Sequence, residues 1–195
     1  MDGGTSDHDK LVVCAPRFSS PNDELLMHGI CYWVRDTISN TPQRITKISP
    51  LRGINSQIKT RSVNGGNSNY YYYMLAEAGL SVHITDNSED IIIGAPGVHT
   101  WKGSVIRYHP KQQDEGTSLS RRDTSALELQ HARRQRRQNQ AIKYISDVPN
   151  PENWYQSNDS YFGYAVSSGH FDSTDLSKVL YVASAPQAGE TGEVS

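Results

Sequence analysis

Apolar positions along this chain come in short bursts bounded by Gly and Pro. Residues 10–16 (KLVVCAP) and 29–34 (GICYWV) are short, β-branched or aromatic runs, which predicts strands. Residues 79–85 (GLSVHIT) alternate apolar with polar, the pattern of a half-buried strand. Residues 90–96 (DIIIGAP) are a continuous apolar run and predict a strand buried on both faces. Residues 104–108 (SVIRY) predict another strand, and 97–103 leave room only for a hairpin loop. The pattern stops from His109 to Gln140, which is rich in Gln, Ser and Arg. Good helix formers at 125–139 have a thin apolar face, so this stretch reads as a long, mostly disordered loop with a transient helix. Strands resume in DSYFGYAVSSGHF (159–171) and VLYVASAP (179–186).

The chain repeats itself. VVCAP (12–16), IIIGAP (91–96) and YVASAP (181–186) are three versions of one strand. Two follow a Gly-led strand, AGLSVHIT and FGYAVSSGHF, and two precede one, GSVIRY and GEVS. Repeated small antiparallel sheets are the signature of propeller blades. Gly lets one backbone approach a neighbouring blade, and Pro ends the buried strand because it has no N–H for a further ladder bond. The predicted fold class is all-β, a partial β-propeller with a long insert.

Composition narrows the function. The 195 residues suit one ordinary domain, and 11 tyrosines are many for that length. A net charge of −2 gives no global attraction to nucleic acid or anionic lipid. No apolar run reaches the roughly 18 residues of a membrane helix. The polar start MDGGTSDHDK lacks the apolar core of a signal peptide. Two cysteines are too few for a zinc site and leave one disulfide or two thiols open. Seven histidines show no ligand spacing, and no Ser-His-Asp set or phosphate-cradling glycine loop is present, so no enzyme activity is expected.

The motifs YFGYAV…VASAP resemble the FG-GAP repeat of integrin alpha subunits. KLVVCAPRF…HGICYWV is similar to the second blade of that propeller, and AEAGLSVHIT…DIIIGAPGVHTWKGSVIRY to the strands that follow. The resemblance implies a seven-bladed propeller, the ligand-binding head of a cell-adhesion receptor. Its place would be the cell surface, outside the plasma membrane, where it works with an integrin beta subunit. About three blades are represented. Residues 1–108 would hold the second blade and the start of the next, 109–140 a flexible insert, and 141–195 an FG-GAP blade incomplete at its end. The chain is therefore expected to be a fragment, with any membrane anchor beyond it. Its tyrosine-rich, loop-extended character suggests an invertebrate alpha chain of the laminin-receptor type.

The resemblance implies several sites. Cys14 and Cys31 match paired cysteines of the second blade, outside the cell where disulfides persist. A second family disulfide before the Gly79 strand has no counterpart in SNYYYYM (68–74), so that loop is expected to be less anchored. The family's ligand loops are matched by His99, Thr100, Trp101 and Lys102, and by Asn158. Trp101 could instead cap a blade edge, and Lys102 could be a solvated charge. Receptors for Arg-Gly-Asp ligands have an aspartate where Asn158 stands, and a neutral amide cannot make its charge-assisted bidentate contact with arginine. Laminin is thus favoured as the matrix ligand. Asn158-Asp159-Ser160 is also the chain's single glycosylation sequon. No cofactor is expected here, since the family's calcium loops lie in later blades and the complex draws a metal ion from the beta subunit. The matching loop DSTDLSK (172–178) has two carboxylates and no turn Gly, and reads as metal-free.

RRQRR, from Arg133 to Arg137, has three readings beside a solvated loop: a convertase cleavage site, a heparan-sulfate patch and a nucleic-acid patch. Nucleic acid is disfavoured because no stacking aromatic is interleaved with the arginines. A second function class, a secreted FG-GAP enzyme or scaffold such as a phospholipase-like protein, is set apart by Cys14, Cys31 and the Trp101 loop, which follow the alpha-integrin pattern.

Overall fold

The computed structural model describes residues 2–3, 10–19, 26–35, 44–52, 58–63, 66–85, 90–111, 144–150, 153, 158–171, 179–189 and 192–194. Three antiparallel meanders account for most of them. The first sheet runs β1 (Asp2–Gly3), β2 (Lys10–Ala15), β3 (Ile30–Arg35), β4 (Arg44–Ile48) in that order. A separate hairpin joins β5 (Ile58–Val63) to β6 (Gly66–Tyr71). The second sheet runs β7 (Ser81–Ile84), β8 (Ile91–Gly94), β9 (Val105–Pro110), β10 (Tyr144–Asp147). The third runs β11 (Val166–Gly169), β12 (Leu180–Ala185), β13 (Glu193–Val194). β1 and β11 both lie against β7, so the first strands of the three sheets are neighbours, as at the hub of a propeller.

The continuous apolar run becomes β8, buried along its whole length. Its pleat explains why. Ile91 and Ile93 join a core with Val12, Cys31 and Trp33 of the first sheet. Ile92 shares the opposite face with its cross-strand neighbours His83 and Arg107. That face meets the third sheet: His83 Nε2 lies 2.8 Å from Ser168 Oγ. There Asp90 Oδ2 accepts from Arg107 Nη2 (2.6 Å), Arg107 Nε (2.7 Å) and the Tyr181 hydroxyl (2.7 Å). Trp33 packs edge-on to Tyr108 and Tyr144, at 6.2 and 4.9 Å between ring centres, tying the first sheet to the second. Edge-to-face pairs of this kind add about 0.5–1.5 kcal/mol beyond their buried area.

Two glycines show why the repeat needs that residue. Gly29 opens β3 with φ +76°, and a Cβ there would lie 2.1 Å from the Ala78 carbonyl oxygen. Gly103 precedes β9 with φ +86°, and its Cβ would lie 2.1 Å from the Phe162 carbonyl oxygen. Each is a left-handed turn pressed against the lead-in of the next sheet, where only glycine fits.

The structure departs from the sequence reading in three places. β9 runs on to Pro110, two residues into the stretch read as insert. β10 pairs with β9, from Tyr144↔Pro110 to Asp147↔Arg107, so it completes the second sheet although 141–195 reads as one segment. Within the tyrosine run expected to be less anchored, Tyr72 and Tyr73 are buried, at 6% and 5% exposed, and Met27 N–H donates to Met74 O (2.7 Å). Residues 112–143, with the Arg133 to Arg137 run, and the 172–178 loop lie outside the described residues. Among the described residues, no helix is long and apolar enough to cross a membrane.

Candidate functional site

The β8–β9 connection is a tight helical turn at Val98–Trp101, with an unusual backbone. His99, Thr100 and Trp101 all have positive φ, at 51°, 59° and 61°. L-residues enter the left-handed region at about 1–2 kcal/mol each and usually singly. Three in succession persist only where neighbours hold them. His99 N–H donates to Tyr72 O (2.6 Å), and the two rings stack at 4.8 Å. Val98 beneath is fully buried and anchors the turn to the core.

The other side is held by the turn that opens the third sheet. Asp159 N–H donates to Thr100 O (3.4 Å), Tyr161 N–H to Trp101 O (2.8 Å) and Phe162 N–H to Lys102 O (3.2 Å). The buried Ser160 hydroxyl also donates to Lys102 O (2.8 Å). Trp101 and Tyr161 rings stack at 5.2 Å, 26° from parallel. Asp159 and Tyr161 have positive φ as well, at 62° and 57°. Five of the six non-glycine residues with positive φ among the described residues thus sit in these two loops. Strained backbone of this kind is found more often at functional sites than elsewhere, which makes the loop pair the candidate.

His99, Thr100, Trp101, Lys102 and Asn158 therefore share one edge of two successive sheets. Their exposure differs. Thr100 and Asn158 are exposed, whereas His99, Trp101 and Lys102 are half-buried. His99 turns toward Tyr72, and Trp101 both packs on Tyr161 and keeps part of its surface open. Tyr72, Asp159 and Tyr161 lie in runs that the sequence reading named, but it gave none of them a part in shaping the ligand loops. Their shaping contacts cross from one sheet to the next, and no local pattern announces them. The paired edge gathers Thr100, Trp101, Lys102 and Asn158 on two neighbouring turns. Cys14 and Cys31 face each other across β2 and β3 and are disulfide-bonded. Gly79 leads into β7 so closely that a Cβ there would stand 2.9 Å from each sulfur.

Beside the Asp90 cluster, two acid–base equilibria shift. Burial and donation to Asp90 push the Tyr181 hydroxyl pKa up. Burial works against the Arg107 charge, but the bonded Asp90 carboxylate outweighs it and holds the guanidinium above its usual value.

Sequential meanders whose first strands share a hub, joined by glycine contacts at the lead-in of each sheet, define a segment of an FG-GAP β-propeller. The chain belongs to the integrin alpha subunits, of the invertebrate type. It is 47% identical over 196 residues to integrin alpha-PS3 of Drosophila melanogaster, a match that takes in 99% of the chain. It is 36% identical over 190 residues to integrin alpha-PS5 of the same species, across 96% of the chain. The chain spans 17% and 15% of the length of these two relatives. No protein-family model matches it.

Proposed function

We propose that this chain is part of the ligand-binding head of a cell-adhesion receptor. It would act at the cell surface with an integrin beta subunit and bind extracellular matrix, laminin in preference to Arg-Gly-Asp ligands. The observation that carries the reading is the locked pair of loops, Thr100 and Trp101 against Asp159 and Tyr161, on one exposed edge of two blades. A preformed loop pair loses little conformational freedom on binding, and exposed rigid aromatics are enriched at binding hot spots. The neutral Asn158 supports laminin, because an arginine-reading site wants a carboxylate at that place. The ligand's acidic group would be taken by a metal ion of the beta subunit.

Trp101→Ala in the receptor that carries this chain tests the reading. Adhesion to laminin-coated plates should fall by about thirtyfold, the equivalent of about 2 kcal/mol, with surface expression retained. Trp101→Phe keeps a ring to stack on Tyr161 and should keep expression in any case. An Arg-Gly-Asp peptide should not compete. Unchanged adhesion of a well-expressed Trp101→Ala receptor would overturn the assignment.

A further inference from the structure

We infer that Asn158 carries an N-linked oligosaccharide, and that this oligosaccharide screens the Thr100–Trp101 tip, so that the fraction of chains modified sets how open the loop pair is. The screening half rests on the proposed function; the modification itself does not. Asn158-Asp159-Ser160 has the acceptor pattern, and Asn158 lies exposed in its turn. Ser160 tells when the modification is made. Its side chain is 0% exposed and its hydroxyl donates to Lys102 O (2.8 Å). A transferase must grip both ends of the tripeptide, so the folded loop is not a substrate. Transfer therefore precedes the docking of 158–163 onto 97–103. Folding then hides Ser160 and leaves Asn158 outside.

The reaction needs a lipid-pyrophosphate-linked oligosaccharide as donor. Asn158 Nδ2 attacks the anomeric carbon of the first sugar. The bond from that carbon to the phosphate oxygen breaks, lipid pyrophosphate leaves, and one amide proton passes to a base of the transferase. Nothing is oxidised or reduced. The product stands beside Thr100, because Asp159 N–H, one residue on, already reaches Thr100 O at 3.4 Å. A branched oligosaccharide rooted there overhangs a loop only a few residues long.

The receptor expressed in secretory cells provides the test. Peptide N-glycosidase should shift its mass and leave aspartate at position 158, and Asn158→Gln and Ser160→Ala should each abolish that shift while Ser160→Thr keeps it. Absence of any shift at 158 in the unmutated receptor would overturn the modification. For screening, Thr100→Cys on intact cells should react severalfold faster with a maleimide-linked polyethylene glycol when combined with Asn158→Gln. Enzymatic removal of the glycan from the folded Thr100→Cys receptor should give the same acceleration, which guards against misfolding of the double variant. Equal rates with and without the glycan would overturn the screening. Neither readout uses a matrix ligand, so an adhesion failure at Trp101 and a failure here are separate results.

Discussion

At the joint between the first and second sheets, Glu77 N–H donates to Met27 O (3.2 Å) and Ala78 N–H to His28 O (3.3 Å). At the joint between the second and third, Tyr161 N–H donates to Trp101 O (2.8 Å) and Phe162 N–H to Lys102 O (3.2 Å). The turns match as well: Glu77 and Tyr161 have φ of 51° and 57°, and Leu80 and Tyr164 N–H donate back to them at 3.1 and 3.0 Å. The side chains differ in a compensating way. Ala78 at the first joint shares its core with the large Ile93 and Val98 of its own sheet. Phe162, its counterpart, packs on Ala183, Ala185 and Ala188, the first and last of which match Ile93 and Val98. Volume has moved from one partner to the other at constant backbone, the kind of exchange that close-packed cores tolerate best. The first joint adds a disulfide where the second has Gly94 and Val105, and there the Ser81 hydroxyl donates to Gly163 O (2.8 Å). One backbone device is thus sealed by two different fillings, and the filling is what each joint can lose separately.

The largest expected effect attacks the exchange itself. Phe162→Ala should cost about 3–5 kcal/mol of stability of the receptor head, as for other aromatic-to-alanine changes in cores. Ala183→Ile in the same chain should recover part of it by placing at this joint the small-and-large combination of Ala78 and Ile93 that shares the core at the first. A double-mutant cycle in denaturant measures the coupling, and strictly additive changes would break the volume exchange.

Next in size is the disulfide. Replacing Cys14 and Cys31 together by alanine should cost about 3 kcal/mol, the chain-entropy value for a loop of their 17-residue separation. Protection from hydrogen exchange should drop at 27–31 and 76–80 and stay unchanged at 160–164. A uniform loss across both joints would show that they are not independent.

Gly29→Ala and Gly103→Ala probe what the joints share. Each forces a side chain to positive φ and against a carbonyl, at about 2–3 kcal/mol. The two unfolding midpoints should fall by similar amounts, whereas a harmless substitution at either glycine would end the equivalence.

The smallest effect separates the joints by pH. The raised pKa of Tyr181 means that folding favours its neutral, donating form. That contribution is complete below the ordinary tyrosine value near 10 and is lost as pH rises through the higher folded value. Tyr181→Phe should cost about 1 kcal/mol at neutral pH and remove this alkaline loss. An unaltered alkaline slope in that variant would assign it to other groups.

Local pattern told which short runs become β2, β3, β7, β8 and β9, because burial on one or both faces of a strand imprints alternation or continuity directly on the residues. The repeated Ala-Pro strands told that the sheets are copies, and the motifs around them told the family. Pattern was silent on β5 and β6, whose IKTRSV and GNSNYY carry little apolar alternation; Asn64-Gly65 between the paired Val63 and Gly66 was the available hairpin signal. It placed His99, Thr100, Trp101 and Lys102 in a short loop, and the family resemblance put Asn158 in a second one, without the contacts that join the two. Their meeting depends on Tyr161 and Phe162 bonding to carbonyls about 60 residues earlier in the chain. The joining of β10 to β9 and the trade between Phe162 and Ala183 were likewise settled only in three dimensions. Sequence spacing records how each strand meets its own sheet, whereas the choice of partner strand and the filling of a joint are sums over residues far apart, which no single window contains.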